Sequence, residues 1–193
     1  MTTLTITKTL FVIIVFLLIY AVIYYYTTPR KEMQIIQAPI SKIDVNTLLE
    51  RYPILISQPL ANPEELINTL FKYTYTAKEF KEITDKEHLL QSRYKYIAIY
   101  NYKDDPIEVN VVQPWSATSP ELFPCSGGMY RLFDFRRPNL ILSSTPFKDS
   151  TVSYITIKIK KQQTLILPTG WIFHTSGNIR AICLHDPLSY ALR

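Results

Sequence analysis

Between Val152 and Thr175 the chain reads VSYITIKIKKQQTLILPTGWIFHT, and that stretch limits the fold more than any other. Ile155, Ile157 and Ile159 alternate with Thr156, Lys158 and Lys160. A period of two is that of a strand with one buried and one wet face. The polar group from Lys160 to Gln163 separates this run from a second, Thr164 to Leu167. Pro168 ends the second run because proline has no N–H to give to a ladder. Thr169 and Gly170 turn the chain, and Trp171 to Thr175 resume it. Alternation puts Ile172 and His174 on one face and Trp171 and Phe173 on the other.

Further strand patterns lie at Tyr94 to Tyr102, Ile107 to Val112, Gly128 to Phe135 and Leu140 to Ser143, separated by DDP, QPWSATSPELFPCSG and RRP. Short strands with proline-rich connections suit a sandwich or small barrel. The composition agrees, with 14 Tyr and 13 Pro but only 4 Gly, which favours strands and irregular connections over a helical bundle. Helices should flank the sheets. Asp44 to Glu50 has room for a turn or two. Tyr52 to Ser57 (YPILIS) then reads as an apolar strand. The clearest helix start follows, where Asn62 caps, Pro63 takes the first helical position, and Glu64 and Glu65 sit at the positive end of the dipole. Leu66, Ile67, Leu70 and Phe71 form its apolar face. Thr76 to Gln91 reads as a second helical region with a break near Thr84, since Thr76 with Glu79 and Thr84 with Glu87 have capping-box spacing.

Ahead of this domain, Leu10 to Tyr26 (LFVIIVFLLIYAVIYYY) carries no charge. As a helix it spans roughly 26 Å, close to the thickness of a bilayer core. Tyr24, Tyr25 and Tyr26 sit where an interfacial aromatic belt would lie. The alternatives are a cleaved signal peptide and a buried core helix. Bulky tyrosines at the end of the run, with no small-x-small site, argue against cleavage. The expected organisation is therefore a short tail (1–9), a transmembrane helix (10–26) in contact with the lipid bilayer, a tether (27–42) and one domain (43–193). Lys8 precedes the span while Arg30, Lys31 and Lys42 follow it, so the positive-inside bias places the domain on the cytosolic side of a single-pass membrane protein. The net charge of +5 is scattered along the chain without interleaved aromatic clusters, so no nucleic-acid partner is expected. Cys125 and Cys183 have no CxxC or histidine spacing for zinc and read as reduced and structural, with one disulfide left open.

Together, YPILIS, RYKYIAIYNYKDDPIEVNVVQP, LILPTGWIFH and the tail NIRAICLHDPLSYALR resemble a cupin-like domain of the JmjC and asparaginyl-hydroxylase type. In that family the distal segment reads roughly as a hydrophobic strand, a polar turn and IPPGWWH. The resemblance covers most of 43–193, and it is similar in particular to cupin-like proteins encoded by large DNA viruses, which would make the membrane a host or virion one. It implies a mainly β domain with flanking helices (α+β), built as a double-stranded β-helix or jelly roll. Leu167 stands where the family has the first of its two prolines, and Ile172 and Phe173 also depart from it.

Oxygenases of that superfamily hold Fe(II) with a His-x-Asp/Glu pair and a distal histidine. His174 takes the distal position. His88 is followed by Leu89 and Leu90 rather than a carboxylate, and His185, before Asp186 and Pro187, comes too late in the order. The expectation is therefore no catalytic residue, no metal and no cofactor, with His174, Trp171 and Trp115 left as a degenerate site or pocket. A lone histidine on an apolar strand is more often a core or rim residue than a ligand, and buried tryptophans in sandwiches are commonly core. Ser126 lacks the GxSxG context of a nucleophile elbow, and Asp104 and Asp105 before Pro106 form a turn signature. The chain reads as a membrane-anchored binding or structural module for an unknown protein or small-molecule ligand. The alternative is a membrane-tethered oxygenase using Fe(II) and 2-oxoglutarate, with His174 joined by carboxylates such as Asp104 or Glu108. A third reading, a lumenal or virion-surface attachment protein, needs the opposite orientation.

Overall fold

The computed structural model describes residues 2–27, 32–72, 75, 77–84, 89–92, 94–112, 121–126, 129–133 and 154–187. The chain begins with one unbroken helix, α1 (Thr2–Thr27), which takes in the stretch read as a tail. Its apolar residues are spread all round the axis, and every side chain described in it, positions 6–21, is exposed. Among the described residues no helix is long and apolar enough to cross a membrane.

The rest is mainly β with a few short helices. β1 (Ile36–Ala38) lies within the stretch read as tether, so the sheet takes in part of it. A 3₁₀ turn (Ile40–Lys42) leads to α2 (Val45–Leu49), capped by Asp44, whose side chain accepts from the Thr47 amide. β2 (Ile54–Ile56) follows. α3 (Pro63–Leu70) starts as its sequence predicts, with the Asn62 side chain accepting from the Glu64 amide and Glu64 and Glu65 in the first turn. It buries Leu66 and Ile67, with Phe71 just beyond its end.

Within the stretch expected to be a second helical region, residues 77–83 form a strand instead: β3 (Ala77–Ile83) pairs antiparallel with β12 (Ile179–His185) along its whole length, from Ala77 opposite His185 to Ile83 opposite Ile179. The alternating Lys and Glu residues of β3 also suit a helix, but a neighbour seven residues long satisfies one edge of its backbone and decides the matter. β4 (Leu90–Ser92), β5 (Tyr96–Tyr100) and β6 (Ile107–Val112) come next. β7 (Glu121–Ser126) falls where the sequence reads as a loop, and β8 (Met129–Phe133) pairs with it. The strand read at Leu140 to Ser143 lies outside the described residues. β9 (Ile155–Ile159), β10 (Thr164–Pro168) and β11 (Ile172–Thr175) reproduce the strand–turn–strand pattern of the sequence.

Among the described residues two six-stranded sheets result, ordered β1-β2-β10-β5-β12-β3 and β7-β8-β4-β11-β6-β9. All described pairings but that of β1 with β2 are antiparallel. Side chains alternating from both sheets meet in one core that includes Leu90, Tyr94, Ile97, Ile99, Val109, Ile157, Leu165, Trp171, Phe173 and Cys183. A second core lies on the outer face of the first sheet, where Leu48, Leu66, Ile67 and Phe71 cover Tyr96, Ala98, Ile166, Ile182 and Leu184. There the Phe71 and Tyr96 rings sit 4.9 Å apart, and the Tyr96 hydroxyl donates to the Leu48 carbonyl at 3.3 Å. That outer layer makes the short helices part of the fold.

Candidate functional site

Gly170 has φ of 85°, a conformation that a side chain would strain, which lets β10 turn into β11. The Gln91 side chain donates to its carbonyl at 2.8 Å, so the second sheet holds the turn in place. Just beyond it, Trp171 is 1% exposed and belongs to the core between the sheets. Its indole N–H donates to the Arg51 carbonyl at 2.9 Å, and Arg51 itself is held at φ 61°. Trp171 therefore ties the segment just after α2 to the core between the sheets. Trp115, the other tryptophan read as a pocket residue, lies outside the described residues, as does His88.

His174 is 7% exposed, but it belongs to the other face of its strand. Phe173 packs in the inner core, so alternation turns His174 to the outer side of the second sheet. Its cross-strand partner there is Asn110, whose own partner on the far side is Thr156. The Thr156 hydroxyl donates to Asn110 Oδ1 at 2.7 Å. His174, Asn110 and Thr156 thus form a polar row across three strands.

The interior side of the same strands is apolar. Phe173 stands opposite Leu90, and both are in the inner core. A three-ligand site between the sheets would need polar side chains projecting from such positions. The carboxylates considered with His174 are engaged elsewhere. Glu108 meets Lys158 at 3.2 Å on the surface. Asp104 sits in the exposed turn after β5, where the Lys161 ammonium donates a hydrogen bond to it and its charge adds to the effect, lowering the carboxyl pKa below its ordinary value. Among the described residues no group of three His, Cys, Asp or Glu is placed to hold a metal ion.

Two polar assemblies were not read from the sequence. At the end of the first sheet where β12 finishes, Glu79 Oε2 accepts from the Tyr94 hydroxyl at 3.0 Å and lies 3.5 Å from His185 Nε2. The Tyr94 and His185 rings are 4.4 Å apart, Lys81 Nζ lies 5.5 Å from the Tyr94 ring, and Lys95 pairs with Asp186 at 3.4 Å. His185 is buried and Glu79 half-exposed, so the group ties the end of β12 to β3. The second is a depression of about 200 Å³ on the outer face of the first sheet, lined by Phe80, Lys81, Glu82, Tyr100, Arg180 and Ala181. The signal that would have found both is the pairing of β3 with β12, which joins residues about 100 apart in sequence. No family model matches this chain, and no curated protein matches it either.

Proposed function

We propose that the chain is a cupin-like domain held to a membrane by its N-terminal helix and acting as a binding or structural module without oxygenase chemistry. One observation carries the non-catalytic half of this reading: Leu90 and Phe173 face each other in the barrel interior, while His174 is on the opposite side of its strand. An imidazole on the outer face cannot converge with ligands inside. The cupin-like part is supported by the pairing of β3 with β12, β4 with β11, β5 with β10 and β6 with β9, first with last and inward in turn. A chain hairpin rolled on itself in this way gives a jelly roll. β1 and β2 then extend one sheet and the β7–β8 hairpin the other.

The anchoring half is supported by α1. Leu10 to Tyr20 are all exposed large apolar or aromatic side chains on one helix, with no charged residue among them. A helix apolar on all sides is stable where lipid covers it. Arg30, Lys31 and Lys42, which follow it, support a cytosolic domain.

Carbonate extraction tests the anchor: the full chain should stay in the membrane pellet and a chain lacking residues 1–31 should leave it. Retention of the truncated chain would defeat the anchor. For the chemistry, the full chain purified in detergent should hold no stoichiometric Fe(II) under anaerobic titration and turn over no 2-oxoglutarate. Iron retained in the purified chain and lost in His174→Ala, together with turnover, would establish the oxygenase instead. Orientation is read from an Asn-Asp-Thr glycosylation acceptor made by Asp104→Asn with Pro106→Thr in the exposed turn, which should remain unmodified; efficient glycosylation would place the domain in the lumen.

A further inference from the structure

Short helices cover only part of the outer face of the first sheet. Beyond α3, Arg180, Glu82 and Phe80 are exposed, and Tyr100, joined to Arg180 by register, lies half-buried beside them. Phe80 is 52% exposed, and its ring has Lys78 Nζ 5.7 Å from its centre. Lys78 in turn pairs with Glu64 of α3.

At the side of this depression, one tyrosine carries two cations. The Arg180 guanidinium carbon lies 4.2 Å from the centre of the Tyr102 ring and Lys103 Nζ lies 5.8 Å from it. The Tyr100 ring meets Tyr102 edge-on at 6.4 Å. The turn that presents Tyr102 and Lys103 is fixed from below by buried Asn101, whose amide donates to the Asp105 and Ile159 carbonyls and whose Oδ1 accepts from the Lys103 N–H. Among the described residues neither Arg180 nor Lys103 makes an ion pair, and Arg180 does not pair even with Glu82, its cross-strand partner. A stacked guanidinium keeps its N–H fork directed outward and loses little entropy on meeting a carboxylate.

β3 adds a second observation. It is the last strand of its sheet, seven residues long, and among the described residues only β12 pairs with it. An edge of that kind accepts an extended chain through backbone hydrogen bonds, and pockets beside it then select side chains. Phe80 and Glu82 of this strand line the depression itself. A free anion would use the two cations but neither the edge nor the aromatic floor.

We propose that the β3 edge and the Phe80–Tyr100–Arg180 depression dock an extended acidic peptide segment of a partner protein. A carboxylate of the segment meets Arg180 and Lys103, and an apolar side chain sits against Phe80 and Tyr100. The inference deepens the binding-module reading and is independent of the membrane anchor and of the iron question.

The test uses the full chain in detergent and a fluorescent heptapeptide, Glu-Val-Glu-Phe-Glu-Val-Glu, followed by polarisation. The acidic peptide should bind, its all-glutamine counterpart should bind at least about tenfold more weakly, and affinity should fall as salt rises. Arg180→Gln should weaken binding about tenfold and Phe80→Ser by a smaller factor, while Lys158→Gln on the second sheet leaves it unchanged. Arg180 and Phe80 are exposed, so unaltered thermal unfolding of both variants should accompany the loss. Equal binding of the glutamine peptide, or insensitivity to Arg180→Gln, would overturn the proposal. So would full displacement by millimolar inorganic phosphate, which would mark a small-anion site, or displacement by phosphatidylserine vesicles that depends on Phe80 and Arg180, which would mark a membrane-facing surface.

Discussion

Gly170 and Gly177 look alike in sequence, each in a short turn next to a strand, but the backbone separates them. At φ 85° Gly170 holds a conformation that costs an L residue about 1–2 kcal/mol, whereas a side-chain carbon added at Gly177 would meet nothing within 4 Å. Gly170→Ala should therefore lower the unfolding free energy by about 1–2 kcal/mol and Gly177→Ala leave it nearly unchanged, as read by urea titration. Trp171 is the larger case. It fills the inner core and its N–H binds the Arg51 carbonyl, so Trp171→Phe tests the hydrogen bond with most of the packing kept, and Trp171→Ala removes both. Expected losses are about 1–2 kcal/mol for Phe and about 3–5 kcal/mol for Ala. The two faces around these residues were legible in the sequence, because Trp171 and Phe173 alternate with Ile172 and His174. What those faces pack against was not legible, since the partner of Trp171 lies 120 residues earlier.

Among the elements, strands marked by alternation or by an apolar run closed by turn residues, such as β9 and β10, were readable, and β3 and β12 were not. β6 and β9 alternate buried with exposed positions and were found from periodicity. β12 is buried at every position but Arg180, so no alternation marks it. β3 carries charges at Lys78, Glu79, Lys81 and Glu82 and a capping-box spacing, and only its long pairing with β12 makes it a strand. The helix caps were the most local signal. Asn62→Ala should cost about 1 kcal/mol by removing the acceptor for the Glu64 amide, measurable by thermal unfolding. Asp44 caps α2 through the Thr47 amide first and the Thr47 hydroxyl second, which lower its carboxyl pKa below the ordinary value. A lowered folded-state value means stabilisation is present above the unfolded-state pKa and is lost as pH falls through the folded one. The difference in stability between the native chain and Asp44→Ala should hold constant from neutral pH down to the ordinary carboxylate range and shrink below it. A difference that grew on acidification would contradict the assigned cap.

At the scale of the whole molecule, no described side chain of the N-terminal helix packs into either apolar core. Every side chain described in α1 is exposed, and neither apolar core contains any of its residues. The domain, by contrast, has its own two cores, one between the sheets and one beneath α2 and α3, and both are built from residues after Gln34. Burial in those cores is the main favourable term in folding, so a helix that contributes nothing to them should contribute nothing to domain stability. Removing residues 1–31 should leave the midpoint and steepness of thermal unfolding the same as those of the full chain in the same detergent. The cut must fall before Glu32, because that carboxylate accepts from the Tyr52 hydroxyl at 3.2 Å and Ile35 packs against the inner core. Extending the deletion through Ala38 removes β1, its register with β2 and the Ile36 amide bond to the Pro53 carbonyl, and should lower the midpoint measurably. A truncation at 31 that melted earlier would mean that α1 packs on the domain after all, while a truncation at 38 that melted with the full chain would mean that the sheet does not need its first strand.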